Sequence, residues 1–179
     1  MFSKFRILPL CLAAFSLLFA APALSRDKDS IFFQSAAGSW KGPGEIVAGK
    51  YKGTKFVCNL SGDPVNGKAT GISLDGSCRV GVFNQKMSAV ITRKGATYTG
   101  RFLDGSAGDG LDIVSGKITG NRAVMGINRK TLNGAMIARL QDTETMNVTI
   151  SVKVGEQMIP VIGMTLKRKV DNVKTGALR

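Results

Sequence analysis

Short segments in which apolar and polar residues alternate run through most of the chain. Met146, Val148 and Ile150 occupy every second position of one such segment, with polar residues between them. A period of two is the side-chain pattern of a β-strand that buries one face. Because similar segments recur along the sequence and no long helical pattern competes with them, the chain is predicted to be all-β.

Glycine-containing dipeptides are predicted to turn the chain between these strands. The sequence holds 22 glycines, and pairs such as Asp75-Gly76 and Asn133-Gly134 are strong hairpin signals. Connections this short place consecutive strands side by side in antiparallel order. A sheet of about 8–10 strands avoids two exposed edges by closing on itself. The predicted fold is an up-and-down antiparallel β-barrel, with a bulge or an edge position at Pro160.

The N-terminus carries an export signal. Residues 7–21 form an uncharged apolar run that follows basic residues and precedes small ones. This pattern is typical of a secretory signal peptide, here residues 1–25, with cleavage after Ala23 or Ser25. The run is shorter than the ~20 apolar residues of a transmembrane helix, so no membrane span is expected.

The exported part of the chain is long enough for one domain with its own core. We divide it into an N-terminal extension (26–37), a barrel domain (38–169) and a polar tail (170–179). The extension is expected to be an extended or helical lead into the barrel, with Phe32 and Phe33 as a cap.

Two cysteines, Cys58 and Cys78, lie in the exported part. An isolated pair in an oxidising compartment most often forms a disulfide. The competing interpretation, a reactive thiol pair, lacks both Cys-x-x-Cys spacing and a histidine to lower a thiol pKa. We therefore predict one disulfide.

The chain is basic and contains no histidine. Its formal net charge is +13, which favours anionic partners such as lipid headgroups, cell-wall polymers or acidic proteins. Export argues against nucleic acid as a partner. Without histidine, Ser-His-Asp catalysis and histidine-based metal sites are excluded. The acidic cluster Asp104, Asp109 and Asp112 is interpreted as turn chemistry. The sequence thus predicts no enzyme, no metal and no cofactor.

Gly38-Ser-Trp40 resembles the Gly-x-Trp signature of the first strand of the calycins, the superfamily of lipocalins, fatty-acid-binding proteins and bacterial metalloprotease inhibitors. In those families the tryptophan closes the base of the barrel under an arginine from the last strand. The resemblance implies that Arg168, on the same face as Leu166 and Met164, is that arginine, with a cation–π contact to Trp40. The Thr-Asp-Tyr motif of lipocalins is absent, so the resemblance is to a calycin-like barrel.

The chain as a whole, particularly in residues 71–81 and 126–130, also resembles secreted proteins of α-proteobacteria that have no assigned function. This resemblance implies a periplasmic location.

The predicted function is that of a non-enzymatic periplasmic barrel that binds a small amphipathic or anionic, lipid-like ligand. Arginines recur along the predicted strands, and Arg79, Arg101 and Arg129 are the candidates to meet an anionic headgroup at a rim. The alternative for these arginines is a solvent-facing position on the outer wall.

Two other functions remain open at this point. A protein–protein module, such as a protease inhibitor, would insert residues 26–37 into the cleft of its target. An envelope structural protein would instead have a barrel packed solid with side chains. The oligomeric state is left open by the sequence.

Overall fold

The computed structural model describes residues 27–67, 69–103 and 110–169. The predicted signal peptide and tail, as well as Asp104 and Asp109, lie outside these residues. Within them the chain forms one helix and ten strands. The elements are α1 (Lys28–Ala36), β1 (Gly38–Ile46), β2 (Lys55–Pro64), β3 (Gly71–Val80), β4 (Phe83–Lys94), β5 (Thr97–Leu103), β6 (Leu111–Thr119), β7 (Arg122–Arg129), β8 (Leu132–Leu140), β9 (Thr145–Val154) and β10 (Gln157–Arg168).

The ten strands form a closed barrel. Each strand pairs with the next one in antiparallel register, and β1 also pairs with β10, so that Trp40 lies opposite Arg168. The predicted all-β, up-and-down antiparallel barrel is confirmed. Closure leaves none of the ten described strands with an unpaired partner side, whereas a long open meander would expose two free edges.

Alternation along each strand separates the core from the outer surface. In β2, Phe56, Cys58 and Leu60 face the interior, and the residues between them are exposed. The register of β10 against β9 shifts between Pro160 and Ile162. A bulge at this position is consistent with proline, which has no backbone N–H to donate to the ladder.

Both of the turns named above are misplaced. Asn133-Gly134 lies within β8, paired with β7, and the chain turns earlier, at 130–131. Asp75-Gly76 does not end a strand but lies in the middle of β3, paired with β2 on one side and β4 on the other. Gly76 has φ of +155°, and a Cβ there would collide with the carbonyl of Asn59. The glycine therefore permits a close approach of two strands, and the chain turns later, at Gly81-Val82.

The helix α1 covers one end of the barrel. Asp27 caps it by accepting a hydrogen bond from the N–H of Asp29, as acidic N-cap residues commonly do. Phe32, Phe33 and Ala36 are buried against the strands. We call this end the base and the opposite end the mouth.

The predicted disulfide is confirmed between Cys58 and Cys78, which lie directly opposite each other on β2 and β3. No helix within the described part of the chain is both long and apolar enough to cross a bilayer.

Candidate ligand-binding cavity

The base is held together by the contact between Trp40 and Arg168. Trp40 is 1% exposed, and its indole N–H donates to the carbonyl of Ala36 at 2.9 Å. The guanidinium carbon of Arg168 lies 4.2 Å from the centroid of the indole ring. This is the geometry of a cation–π contact.

Arg168 also holds the C-terminal end of α1. Its guanidinium donates to the carbonyls of Ser35 (2.7 Å), Ala37 (2.6 Å) and Thr143 (2.8 Å). Carbonyls at a helix C-terminus lack intrahelical partners and carry partial negative charge, so a cation there is favourable. One side chain therefore joins the helix, β10 and the β8–β9 loop.

Gly38 leaves room for that guanidinium. The residue has φ of +111°, and a Cβ there would lie 2.5 Å from an Nη atom of Arg168. A side chain at position 38 would therefore meet both a strained backbone and the cation. This explains in physical terms why glycine stands two residues before the tryptophan.

A second polar cluster holds the N-terminal end of α1. Arg93 forms an ion pair with Asp27 at 2.5 Å, and the hydroxyl of Tyr98 donates to Asp29 at 2.7 Å. Partial burial opposes ionisation of Asp27, but hydrogen bonds from the Asp29 N–H and from Arg93 outweigh it and keep the pKa of Asp27 below its ordinary value. Burial, and then the hydrogen bond to Asp29, raise the pKa of Tyr98. The helix is thus fixed at both ends.

An apolar cavity of about 350 Å³ lies above the helix. Its floor is formed by Phe32, Phe33 and Ala36, and its wall by inward-facing residues of the strands. This volume falls within the usual range for small-molecule sites, roughly 300–1,000 Å³. The other lining residues are Trp40, Ile46, Phe56, Leu60, Ile72, Leu74, Cys78, Val80, Gln85, Met87, Ile91, Phe102, Leu111, Ala123, Met125, Met136, Ala138, Met146, Val148, Ile150, Ile162, Met164 and Leu166.

The chemistry of this lining is almost uniform. Among the lining residues that the structure describes, Gln85, near the mouth, is the one with an amide side chain, which donates to the carbonyl of Lys86 at 3.5 Å, and none is charged. Five of the seven methionines of the chain line the cavity. Methionine is flexible and polarisable, so such a wall adapts to the shape of an apolar guest. The cavity can therefore hold hydrocarbon but would strongly disfavour a buried charge.

The three predicted ligand-binding arginines all lie near the mouth, yet none of them lines the cavity. Arg79 and Arg101 are exposed, and alternation places them on the outer wall. Arg101 lies 3.7 Å from Asp112, an exposed ion pair. Arg129, the last residue of β7, is half-buried and lies on the same face as Met125 and Ile127. Thus only Arg129 is on the inward face.

The sequence did not indicate which inward residues would leave a space between them. Gln85 also escaped notice, although its place two residues after Phe83 and two before Met87 puts it on the inward face of β4. Among the residues that the structure describes, no group of three or more acidic or cysteine side chains is placed to hold a metal ion.

The closed barrel, the helix across its base and the internal cavity place the protein among calycin-like β-barrels. No family model and no curated protein matches the sequence. Among solved structures, the chain is similar to the S-type phycobiliprotein lyase CPES from Guillardia theta, with a TM-score of 0.58 and 10% sequence identity over 81% of this chain and 94% of the other. It is also similar to Rv2717c from M. tuberculosis, with a TM-score of 0.56 and 12% identity over 79% and 98% of the two chains. At these identities the likeness shows the fold alone.

This comparison corrects the expectation that the protein is not an enzyme. A protein with the same fold is named a lyase, so membership of this class of barrels gives no ground for excluding catalysis. The missing histidine still excludes mechanisms that depend on histidine, but it does not exclude others.

Proposed function

We propose that the barrel binds a small amphipathic, lipid-like ligand whose hydrocarbon part occupies the cavity. The observation that carries this proposal is the space of about 350 Å³ lined by apolar side chains, with Gln85 as the one amide among the described lining residues. Each buried CH₂ group of a ligand would gain about 0.8 kcal/mol on transfer from water. A barrel with only a structural role would be expected to fill this space with its own side chains.

The polar head of the ligand is assigned to the mouth. None of the described residues that line the cavity is charged, so a charged head inside it would have no ion-pair partner there. Gln85 and Arg129 both lie on the inward faces of their strands, near the mouth. Arginine binds carboxylate and phosphate groups in a bidentate manner. We therefore favour an anionic head and, in line with the signal-like N-terminus, a periplasmic site of action.

The position of α1 favours this function over that of a protease inhibitor. Phe32 and Phe33 are buried in the base, and Arg168 and Arg93 hold the two ends of the helix. Insertion of this segment into the cleft of another protein would require all these contacts to break. The segment therefore serves as the floor of the cavity.

The proposal is tested by ligand capture and by filling the cavity. Native mass spectrometry of the purified protein should show a bound small molecule, and the natural fluorescent fatty acid cis-parinaric acid should bind with enhanced emission. Ala138→Phe, which places a ring in the cavity, should abolish probe binding. Ala135→Phe, on the outward face of the same strand, is the matched control and should bind normally.

The position of the head is tested separately. Arg129→Gln should weaken binding of cis-parinaric acid more than binding of the corresponding alcohol, whereas Arg79→Gln on the outer wall should affect neither. If Ala138→Phe binds the probe as well as the wild type does, the cavity is not the binding site. These experiments hold whether the ligand is only bound or also converted.

A further inference from the structure

The mouth of the barrel is surrounded by exposed apolar side chains. Five strand connections lie at this end, and four of them fall within the described residues: 47–54, 81–82, 130–131 and 155–156. Each of the four has at least one large exposed hydrophobic residue in it or within two positions of it. These residues are Val47, Tyr51, Val80, Val82, Phe83, Leu132, Val154 and Met158, and we call the set the apolar rim.

The base shows no such enrichment. No large exposed hydrophobic side chain occurs among the described residues of the connections there, which are 65–70, 95–96, 120–121 and 141–144. Scattered exposed apolar residues are normal on a protein surface. Their concentration at one end, around the opening of a cavity, is not explained by the fold, because hairpin turns are satisfied equally well by polar residues.

The β3–β4 hairpin is the strongest example. Val82 is 89% exposed and Phe83 is 78% exposed, so that an aliphatic and an aromatic side chain stand together at the tip of a turn. Arg79 and Lys86 flank this tip and are both exposed. An apolar tip with cations behind it matches the layering of a lipid surface, where hydrocarbon lies beneath charged headgroups.

Basic residues accompany the whole apolar rim. Exposed cations on or beside the described mouth connections are Lys50, Lys52, Lys55, Arg79, Lys86, Lys130 and Lys153. Opposing them in the same regions are Glu45 and Glu156, and Glu156 forms an ion pair with Lys153 at 3.5 Å. The rim is therefore both apolar and strongly positive.

We propose that the apolar rim is a docking surface for an anionic lipid bilayer, with the mouth of the cavity facing the membrane. The charge of the rim is complementary to anionic headgroups, which attract basic residues near the surface. Separate tips spaced around a ring suit a fluid bilayer, into which each can insert independently, better than a single continuous protein surface. This inference goes beyond the proposed function, because docking does not depend on what occupies the cavity.

Vesicle co-sedimentation tests the proposal directly. The protein should bind vesicles of phosphatidylcholine and phosphatidylglycerol, and bind much less to vesicles of phosphatidylcholine alone. Binding should weaken as salt is raised, because salt screens exposed charges. Val82→Ser/Phe83→Ser should reduce the partition coefficient about tenfold. Both positions are exposed, so folding is expected to be preserved.

Two matched controls separate docking from general loss of surface hydrophobicity. Val90→Ser removes an exposed side chain from the outer wall, and Ile31→Ser removes one from the base. Their exposures, 50% and 46%, lie within the range of the rim residues, 40–89%. Neither variant should change vesicle binding. Phe83→Trp provides a positive signal, since its emission should shift to the blue when anionic vesicles are added, whereas Val90→Trp should not respond.

The proposal is overturned if the wild type does not bind anionic vesicles at low salt, or if Val82→Ser/Phe83→Ser binds as well as the wild type. A third outcome also overturns it: the wild type is a stable dimer that does not bind vesicles, and Val82→Ser/Phe83→Ser is a monomer by sedimentation. The apolar rim would then be a contact between copies of the chain. Ala138→Phe, designed to fill the cavity and exclude a ligand, should still dock. Its behaviour therefore distinguishes failure of docking from failure of ligand binding.

Discussion

Replacing Arg168 with methionine tests whether one side chain closes the barrel. Methionine keeps an unbranched apolar stem against Trp40 but removes the cation and its hydrogen bonds to Ser35, Ala37 and Thr143. The bond to Ala37 is partly buried and should contribute about 1.5 kcal/mol, while the two exposed bonds should contribute about 0.5 kcal/mol each. Loss of the cation–π contact adds roughly 0.5–1 kcal/mol. We expect the free energy of unfolding to fall by about 3 kcal/mol.

The assay is urea-induced unfolding followed by the fluorescence of Trp40, the only tryptophan of the chain, with circular dichroism as a second probe. Arg79→Met, which removes an exposed arginine from the outer wall, is the matched control and should change stability by less than about 0.5 kcal/mol. A loss below about 1 kcal/mol for Arg168→Met would show that the guanidinium is solvated rather than structural. Arg168 would then not be the side chain that closes the base.

Three further predictions concern other parts of the fold. Replacing Cys58 and Cys78 with alanine should lower the free energy of unfolding by about 3 kcal/mol. The stability of this variant should then no longer depend on added reductant. A urea midpoint equal to that of the wild type would contradict this. The pKa of Asp27 is lower in the folded protein than its ordinary 3.8, so its ion pair stabilises the fold above that pH and is lost as the pH falls below it. Wild type should therefore be more stable than Asp27→Asn at neutral pH, and this difference should shrink in acid. A difference that stays constant with pH would exclude the ion pair as its cause. Arg139 lies directly opposite Arg122 on the outer wall. Arg139→Glu replaces this like-charge pair with an opposite-charge pair, so the free energy of unfolding should rise by roughly 0.5 kcal/mol, seen as a higher thermal midpoint. An unchanged midpoint would show that the two guanidinium groups are fully screened.

Much of the fold could be predicted because strand alternation is a local property of the sequence. The inward faces of β2 and β9 follow directly from their period of two, and the cysteine pair and the bulge near Pro160 follow from simple chemical rules. Gly38, Trp40 and Arg168 were singled out by resemblance, and the structure places them in contact. Asp75-Gly76 was misassigned because the same glycine that permits a turn also permits two strands to approach closely.

The site was harder to predict because it is defined by empty space. Alternation tells which residues of β7 and β8 face inward, but the volume left between Met125, Met136 and Ala138 depends on the barrel radius and on rotamers. The arginines illustrate the same limit, since Arg79 and Arg129 look equivalent in the sequence but lie on opposite faces of the wall. The helix at the base was weakly signalled, because its stability comes from the packing of Phe32 and Phe33 rather than from a regular apolar pattern.

The contact between the first and last strands also has a consequence for the order of folding. Arg168 and Ala37 are 131 residues apart in sequence, so the cation that secures the helix arrives only after nearly the whole domain has been synthesised. Until then β1 and the advancing strand both expose unpaired edges, and the sheet is a temporary template for aggregation. Folding of this protein should therefore be slow to complete and most vulnerable immediately before β10 joins the sheet.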